Sequence, residues 1–135
     1  MSQPTQITSL KIPCKVVTGA TTLMAKDSGK CIVMRAAAGA TITLPANVNG
    51  LSFRFVVGSA FATSNWVVAA ATADADTLEG SLVVNGAAVT VNAADQVNFV
   101  NSAENIGDVV DIWGDGTYWY VSGTGLSAGS ITATG

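Results

Sequence analysis

Apolar and polar residues alternate along most of this chain in short runs, and no stretch repeats at the spacing of an amphipathic helix. Thr41-Ile42-Thr43-Leu44 places Ile42 and Leu44 on one face, and Pro45, with no N–H to give a ladder, ends that strand. Ser52–Val57 alternates likewise, with Phe53, Phe55 and Val57 inward and Arg54 outward. Asn65-Trp66-Val67-Val68 supplies another apolar strand after the looser "GSAFATS". Earlier, "KDSG" predicts a hairpin joining Thr21–Ala25 to Lys30–Arg35, and "AAAGA" marks a further turn.

Two turns predict register as well as strands. Asn85-Gly86 suits a two-residue turn in which both residues take positive φ, setting Val84 opposite Ala87 and Leu82 opposite Val89. Leu82, Val84, Ala87 and Val89 then face the core, and Ser81, Val83, Ala88 and Thr90 face away. Asp115-Gly116, read the same way, sets Ile112 opposite Trp119 and Val110 opposite Val121. Val110, Ile112, Trp119 and Val121 form an apolar face, while Asp111, Trp113, Tyr118 and Tyr120 form the other. About ten short strands with tight turns predict an all-β chain, a single-domain antiparallel β-sandwich or jelly roll. Its 135 residues suffice for one domain burying roughly two thirds of the unfolded surface. The expected organisation is an N-terminal arm over 1–13, which holds Pro4 and Pro13, a sandwich over 14–122, and a small-residue C-terminal tail over 123–135.

Composition adds a demand on the surroundings. Charged residues are 11% of the chain, against about 25% in an ordinary soluble domain, so the surface is expected to meet either a membrane or partner proteins. The most apolar windows, Phe53–Phe61 and Trp66–Ala73, carry Arg54, Ser59 or Thr72 and fall short of the roughly 20 residues that a spanning helix needs. The start, "MSQPTQITSLKIPCK", lacks the basic-then-apolar order of a secretory signal. The expectation is therefore a product of the cytoplasm that is not secreted, does not engage membranes, and ends in an assembly. All six basic residues lie within positions 1–54 against Asp27 alone, a net +5, whereas 55–135 holds eight acids and no base. Such asymmetry suits head-to-tail contact between copies or a basic face on an acidic neighbour, unless folding mixes the two halves over one surface. With no basic run interleaved with aromatics, nucleic acid is not an expected partner.

Candidate chemistry is sparse. The chain has no histidine, which removes Ser-His-Asp and Cys-His pairs and the usual zinc sites. Cys14 and Cys31 have no activating base in sequence, and they either stay reduced or bridge if their strands are neighbours. Asp108 with Asp111, or Asp74 with Asp76, are the carboxylate pairs that glycoside hydrolysis would need. Asp74-Ala75-Asp76-Thr77-Leu78-Glu79 clusters oxygens as calcium requires but departs from the EF-hand spacing, and a solvated acidic turn is the simpler reading. No phosphate-binding loop is present in the sequence, and no enzyme activity, metal or cofactor is expected. The strongest signal is the aromatic face, Trp113, Tyr118 and Tyr120 beside Asp111, suited to a protein interface, a sugar-stacking platform, or a cover from elsewhere in the chain.

The stretches "TLMAKDSGKCIVMRAAAGATITLPANVNGLSFRFVVG", "NWVVAAA" and "GDVVDIWGDGTYWYVSG" resemble a layout of tailed-bacteriophage structural proteins. There an Asp-Ser-Gly-Lys turn precedes a Thr-x-Thr-Leu-Pro strand and a Gly-x-x-Phe-x-Phe strand, and an Asp-Gly-Thr-x-Trp hairpin closes the domain. The likeness covers about residues 20–123 and is closest to capsid decoration (cement) proteins. It implies a homotrimer that sits on the major capsid protein at the virion surface and stiffens the shell, without catalysis. Trp113, Tyr118, Tyr120 and Asp111 are then the expected subunit or capsid contacts, with Lys11 and Lys15 anchoring the arm. Related modules occur in head fibres, tail fibres and spikes, where they bind receptors or glycans; that is the alternative.

Overall fold

β-Branched and aromatic residues at every second position fit a pleated, half-buried surface, and in the computed structural model, described here over residues 12–135, they form twelve strands. In chain order these are β1 (Cys14–Val17), β2 (Thr21–Thr22), β3 (Cys31–Met34), β4 (Thr41–Thr43), β5 (Ser52–Val57), β6 (Trp66–Ala69), β7 (Leu78–Val84), β8 (Ala87–Ala94), β9 (Gln96–Phe99), β10 (Val109–Gly114), β11 (Trp119–Gly125) and β12 (Ile131–Thr134). They build a seven-stranded sheet, β1-β3-β5-β10-β11-β7-β8, and a five-stranded sheet, β12-β9-β6-β4-β2. The inner faces pack into one core around Trp66, Trp119, Phe55 and Phe99, with Ile42, Leu44, Phe53, Val57, Val110, Ile112 and Val121 beside them. The sandwich and these inward residues, Trp66 and Phe99 apart, match the sequence reading.

Three expectations change. First, the sheets are mixed rather than antiparallel throughout. From β1 to β7 each strand lies in the sheet opposite its predecessor, and over the first six strands sheet neighbours two apart in sequence run the same way. Hence β1, β3 and β5 are parallel, as are β2, β4 and β6, and the intervening strand of the other sheet serves as the crossover. Second, "KDSG" does turn the chain but joins no hairpin. Leu23 is buried and donates its N–H to the Thr43 carbonyl, which holds β2 in the smaller sheet, and a 3-10 turn at Ala25–Asp27 carries the chain across to β3. Third, residues 123–135 are not a tail. β11 runs on to Gly125, and β12 pairs with β9 and buries Ile131. Small residues there are compatible with a strand because β12 needs only one large inward side chain. Of the N-terminal arm, residues 1–11, Lys11 included, lie outside the described residues, and Ile12 and Pro13 lead exposed into β1.

The crossings leave backbone N–H groups without ladder partners, and carboxylates take them. Asp27 accepts from Met24 N–H, Asp74 from Asn47, Asp95 from Asp76, and Glu104 from Phe61. Asp108, itself buried, accepts from Asn105 and Leu126. Asp27 is the most enclosed, 1% exposed, and also receives Lys30 Nζ at 3.1 Å and Lys15 Nζ at 3.3 Å. It thereby ties β1, the 3-10 turn and the start of β3 together. The Met24 N–H, aided by both ammonium groups, outweighs burial and holds its carboxyl down at about 2.

Because the folded value lies below the ordinary 3.8, this stabilisation is full above pH 4 and is lost as pH falls through 2. A shift of that size corresponds to about 2 kcal/mol. Asp27→Asn is expected to lower unfolding stability at pH 7 by that amount. Denaturant melts of both proteins from pH 7 to pH 2 should converge at the acid end.

Candidate docking surface

The outer face of the seven-stranded sheet is organised in rows that run across the strands. Strand register aligns Val16, Val33, Val56, Val109, Thr124, Val83 and Ala88 from one edge to the other. Side chains alternate across a strand, so these chain neighbours of the inward Ile32, Phe55, Val110 and Leu82 point away from the core, Val33 being buried nonetheless beside Gly58. Beside the Val109–Thr124–Val83 stretch of this row Ile106 (71% exposed) and Leu126 (70%) stand clear and line a shallow groove with Val83 and Val109. The next row is polar: Cys14, Cys31, Arg54, Asp111, Ser122, Ser81 and Thr90. A third row sets Ser52, Trp113, Tyr120 and Glu79 side by side.

The hairpin that carries the aromatics differs in detail from its sequence reading. Ile112 pairs with Val121 and Trp113 with Tyr120, so the loop is Asp115–Tyr118 rather than Asp115-Gly116 alone. The Asp115 side chain explains the extra length. Its Oδ1 accepts the N–H groups of Thr117 and Tyr118, each at 2.8 Å, and Asp115 N–H reaches the Tyr118 carbonyl. Only Gly116, at φ 94°, takes positive φ there. A shift of two positions preserves side-chain parity, so the expected faces survive. Trp119 is fully buried, its ring so close to Gly114 that an added Cβ would come within 3.0 Å of it. The Asn85-Gly86 turn has the expected positive φ at both residues, and Val84 faces Ala87.

Trp113 and Tyr118 are 43% and 44% exposed, with Tyr120 between them at ring-centroid distances of 6.2 Å and 6.4 Å. No element among the described residues covers this cluster. The Tyr120 hydroxyl donates to Asp115 Oδ2 at 2.6 Å, which lowers the Asp115 carboxyl and raises the Tyr120 phenol from their ordinary values. Asp111 does not sit loose beside the aromatics. Arg54 grips it through Nε–Oδ1 at 2.7 Å and Nη2–Oδ2 at 3.2 Å, which pushes the guanidinium further up. Lys30, Arg54, Asp111, Ile12 and Trp113 border a second shallow groove.

The remaining sequence candidates divide. Lys15 belongs to β1 and is engaged with Asp27, so it is part of the body rather than of a free arm. Lys11 lies outside the described residues. Asp108 and Asp74 serve as backbone acceptors, and Asp108 is too enclosed by its own loop to face a substrate. Glu79 accepts from Ala93 N–H. Among the described residues no three metal-ligating side chains gather. Cys14 and Cys31 stand opposite each other in register across β1 and β3, as free thiols, with burial pushing the Cys31 thiol up. Sequence reasoning missed the valine row, because membership in it depends on which strands are neighbours. Each residue's outward direction was legible; their alignment was not.

No family model matches this chain, and no curated protein or solved structure matches it either.

The two exposed and buried tryptophans give a direct check of the surface. Trp119→Ala is expected to cost about 3–5 kcal/mol as a large core truncation, whereas Trp113→Ala should change stability by no more than about 0.5 kcal/mol, as surface substitutions do. Urea melts of the two variants measure the contrast.

Proposed function

We propose that this chain is a non-enzymatic structural protein of a tailed-bacteriophage particle. In this reading it binds the outside of the capsid as a homotrimer, contacts the major capsid protein, and reinforces the shell. The observation that carries the reading is the uncovered outer face of the seven-stranded sheet, with its valine row, exposed Ile106 and Leu126, and the Trp113–Tyr120–Tyr118 cluster. A flat face with rigid aromatic anchors suits a partner of matching shape better than a small substrate. Most carboxylates are already occupied by backbone N–H groups, which leaves little acid–base equipment on that face. Many copies on one lattice gain avidity from individually modest contacts.

A second reading, a glycan- or receptor-binding module of a fibre or spike, is favoured by one local feature. The Trp113 ring stands beside the Arg54–Asp111 pair in a shallow groove, as a stacking platform flanked by polar groups would.

Co-sedimentation with empty expanded capsids separates the two. Saturable pelleting at a stoichiometry set by the symmetry sites is expected, and Trp113→Ala with Tyr118→Ala should weaken it about thirtyfold if the pair contributes as interface hot spots do. Removal of residues 1–13 is expected to weaken attachment further. An absence of pelleting at low and high salt, together with saturable glycan binding lost in the same double variant, would replace the capsid reading with the fibre module.

A further inference from the structure

β8 closes one side of the seven-stranded sheet, and from Ala87 to Val91 its free edge lacks the devices that ordinarily protect one; a bulge opposite Leu78–Gly80, with Ala93 at φ 47°, comes only near its far end. From Ala87 to Ala94 it carries no proline and no charge, and Ala88, Thr90 and Asn92 are exposed. The Asn85-Gly86 turn decides which backbone groups face outward. A two-residue turn of this type makes Val84–Ala87 a hydrogen-bonded pair, and Leu82–Val89 the next one. Ala88 and Thr90 therefore direct their N–H and C=O groups away from β7. Among the described residues no strand lies against them.

The opposite edge is β1. Pro13 and Val17 give their carbonyls to Cys31 and Arg35 of the β3 side, so Cys14 and Val16 turn theirs outward. The two edges differ in charge. Beside β1 stand Lys15, Lys26, Lys30 and Arg35 with Asp27. Beside β8 stand Asp76, Glu79 and Asp95, none of them in an ion pair among the described residues. Through the ladders β1 and β8 run antiparallel, and Thr90 falls in the same row as Cys14. Lys26, Lys30, Glu79, Asp76 and Asp95 consequently lie toward the same end of the sheet.

We infer that β8 of one copy pairs with the β1 edge of a second copy, extending the sheet head to tail in an antiparallel ladder. Rotation about an axis along the strands brings the acidic margin of one copy onto the basic margin of the next and can close into a ring. Pairing of β8 with β8 would instead set three acids against three. This inference deepens the self-association within the reading above and is tested without capsid. A negative result here leaves capsid binding standing, and failure to bind capsid leaves this pairing standing.

Sedimentation equilibrium of the full chain across a wide concentration range is expected to show reversible association above the monomer mass. Thr90→Pro removes only an outward donor, a position where edge strands tolerate proline, and should yield a monomer with an unchanged circular dichroism spectrum. Asp76→Lys and Lys26→Glu should each weaken association about fivefold, as loss of an exposed charge pair does, and the double variant should recover it. A chain monomeric at every concentration, or a folded Thr90→Pro protein that still associates, overturns the pairing. So does an Asp76→Lys variant that associates more tightly while Lys26→Glu changes nothing, since that result identifies β8 with β8. Should Thr90→Pro fail to fold, the charge variants decide alone.

Discussion

From β1 to β7 the chain changes sheet at every step, crossing the sandwich six times, and at four of these crossings a carboxylate takes a main-chain N–H that the ladders do not reach. A buried N–H without a partner costs as much as a lost hydrogen bond, so the fold depends on acceptors placed at those crossings. Short carboxylates supply them. Asp27, Asp74, Asp95, Glu104 and Asp108 each hold a loop by its main chain, and Asp27 adds two lysines that secure the edge strand β1.

That use of acids changes what the composition means. A chain with 11% charged residues has few to spend on solubility, and here most of its acids are committed to loop geometry. The outer face of the larger sheet is left with one bidentate ion pair, Arg54–Asp111, between an apolar row and an aromatic row. Such a face fits the pleat because its residues are largely β-branched or aromatic. The sandwich core and the outer face are thus two sides of the same strands: Phe53, Phe55, Ile112 and Trp119 inward, Arg54, Val56, Trp113 and Tyr120 outward.

The closing hairpin illustrates how local and tertiary effects divide the outcome. Asp115 lengthens the loop through its own hydrogen bonds, and Asn47, from the connection after β4, accepts the Gly116 N–H at 3.0 Å. The first effect is local and follows from Asp chemistry in turns. The second joins residues 69 positions apart and has no local trace.

Alternation by itself determined the class of the fold, the inward set from Ile42 to Val121, and the aromatic cluster of Trp113, Tyr118 and Tyr120, because a strand's two faces are a property of its own residues. Asn85-Gly86 determined one register, since its conformation is intrinsic to the dipeptide. Only the tertiary structure decided that β2 leaves β3 for the other sheet, that residues 131–134 complete that sheet, that acids at the crossings are structural, and that five valines from five strands form one row. Those outcomes rest on which strands become neighbours. That choice is made by the burial of Leu23, Ile131 and their like in a shared core, to which every strand but β2 contributes and which no single stretch of sequence contains.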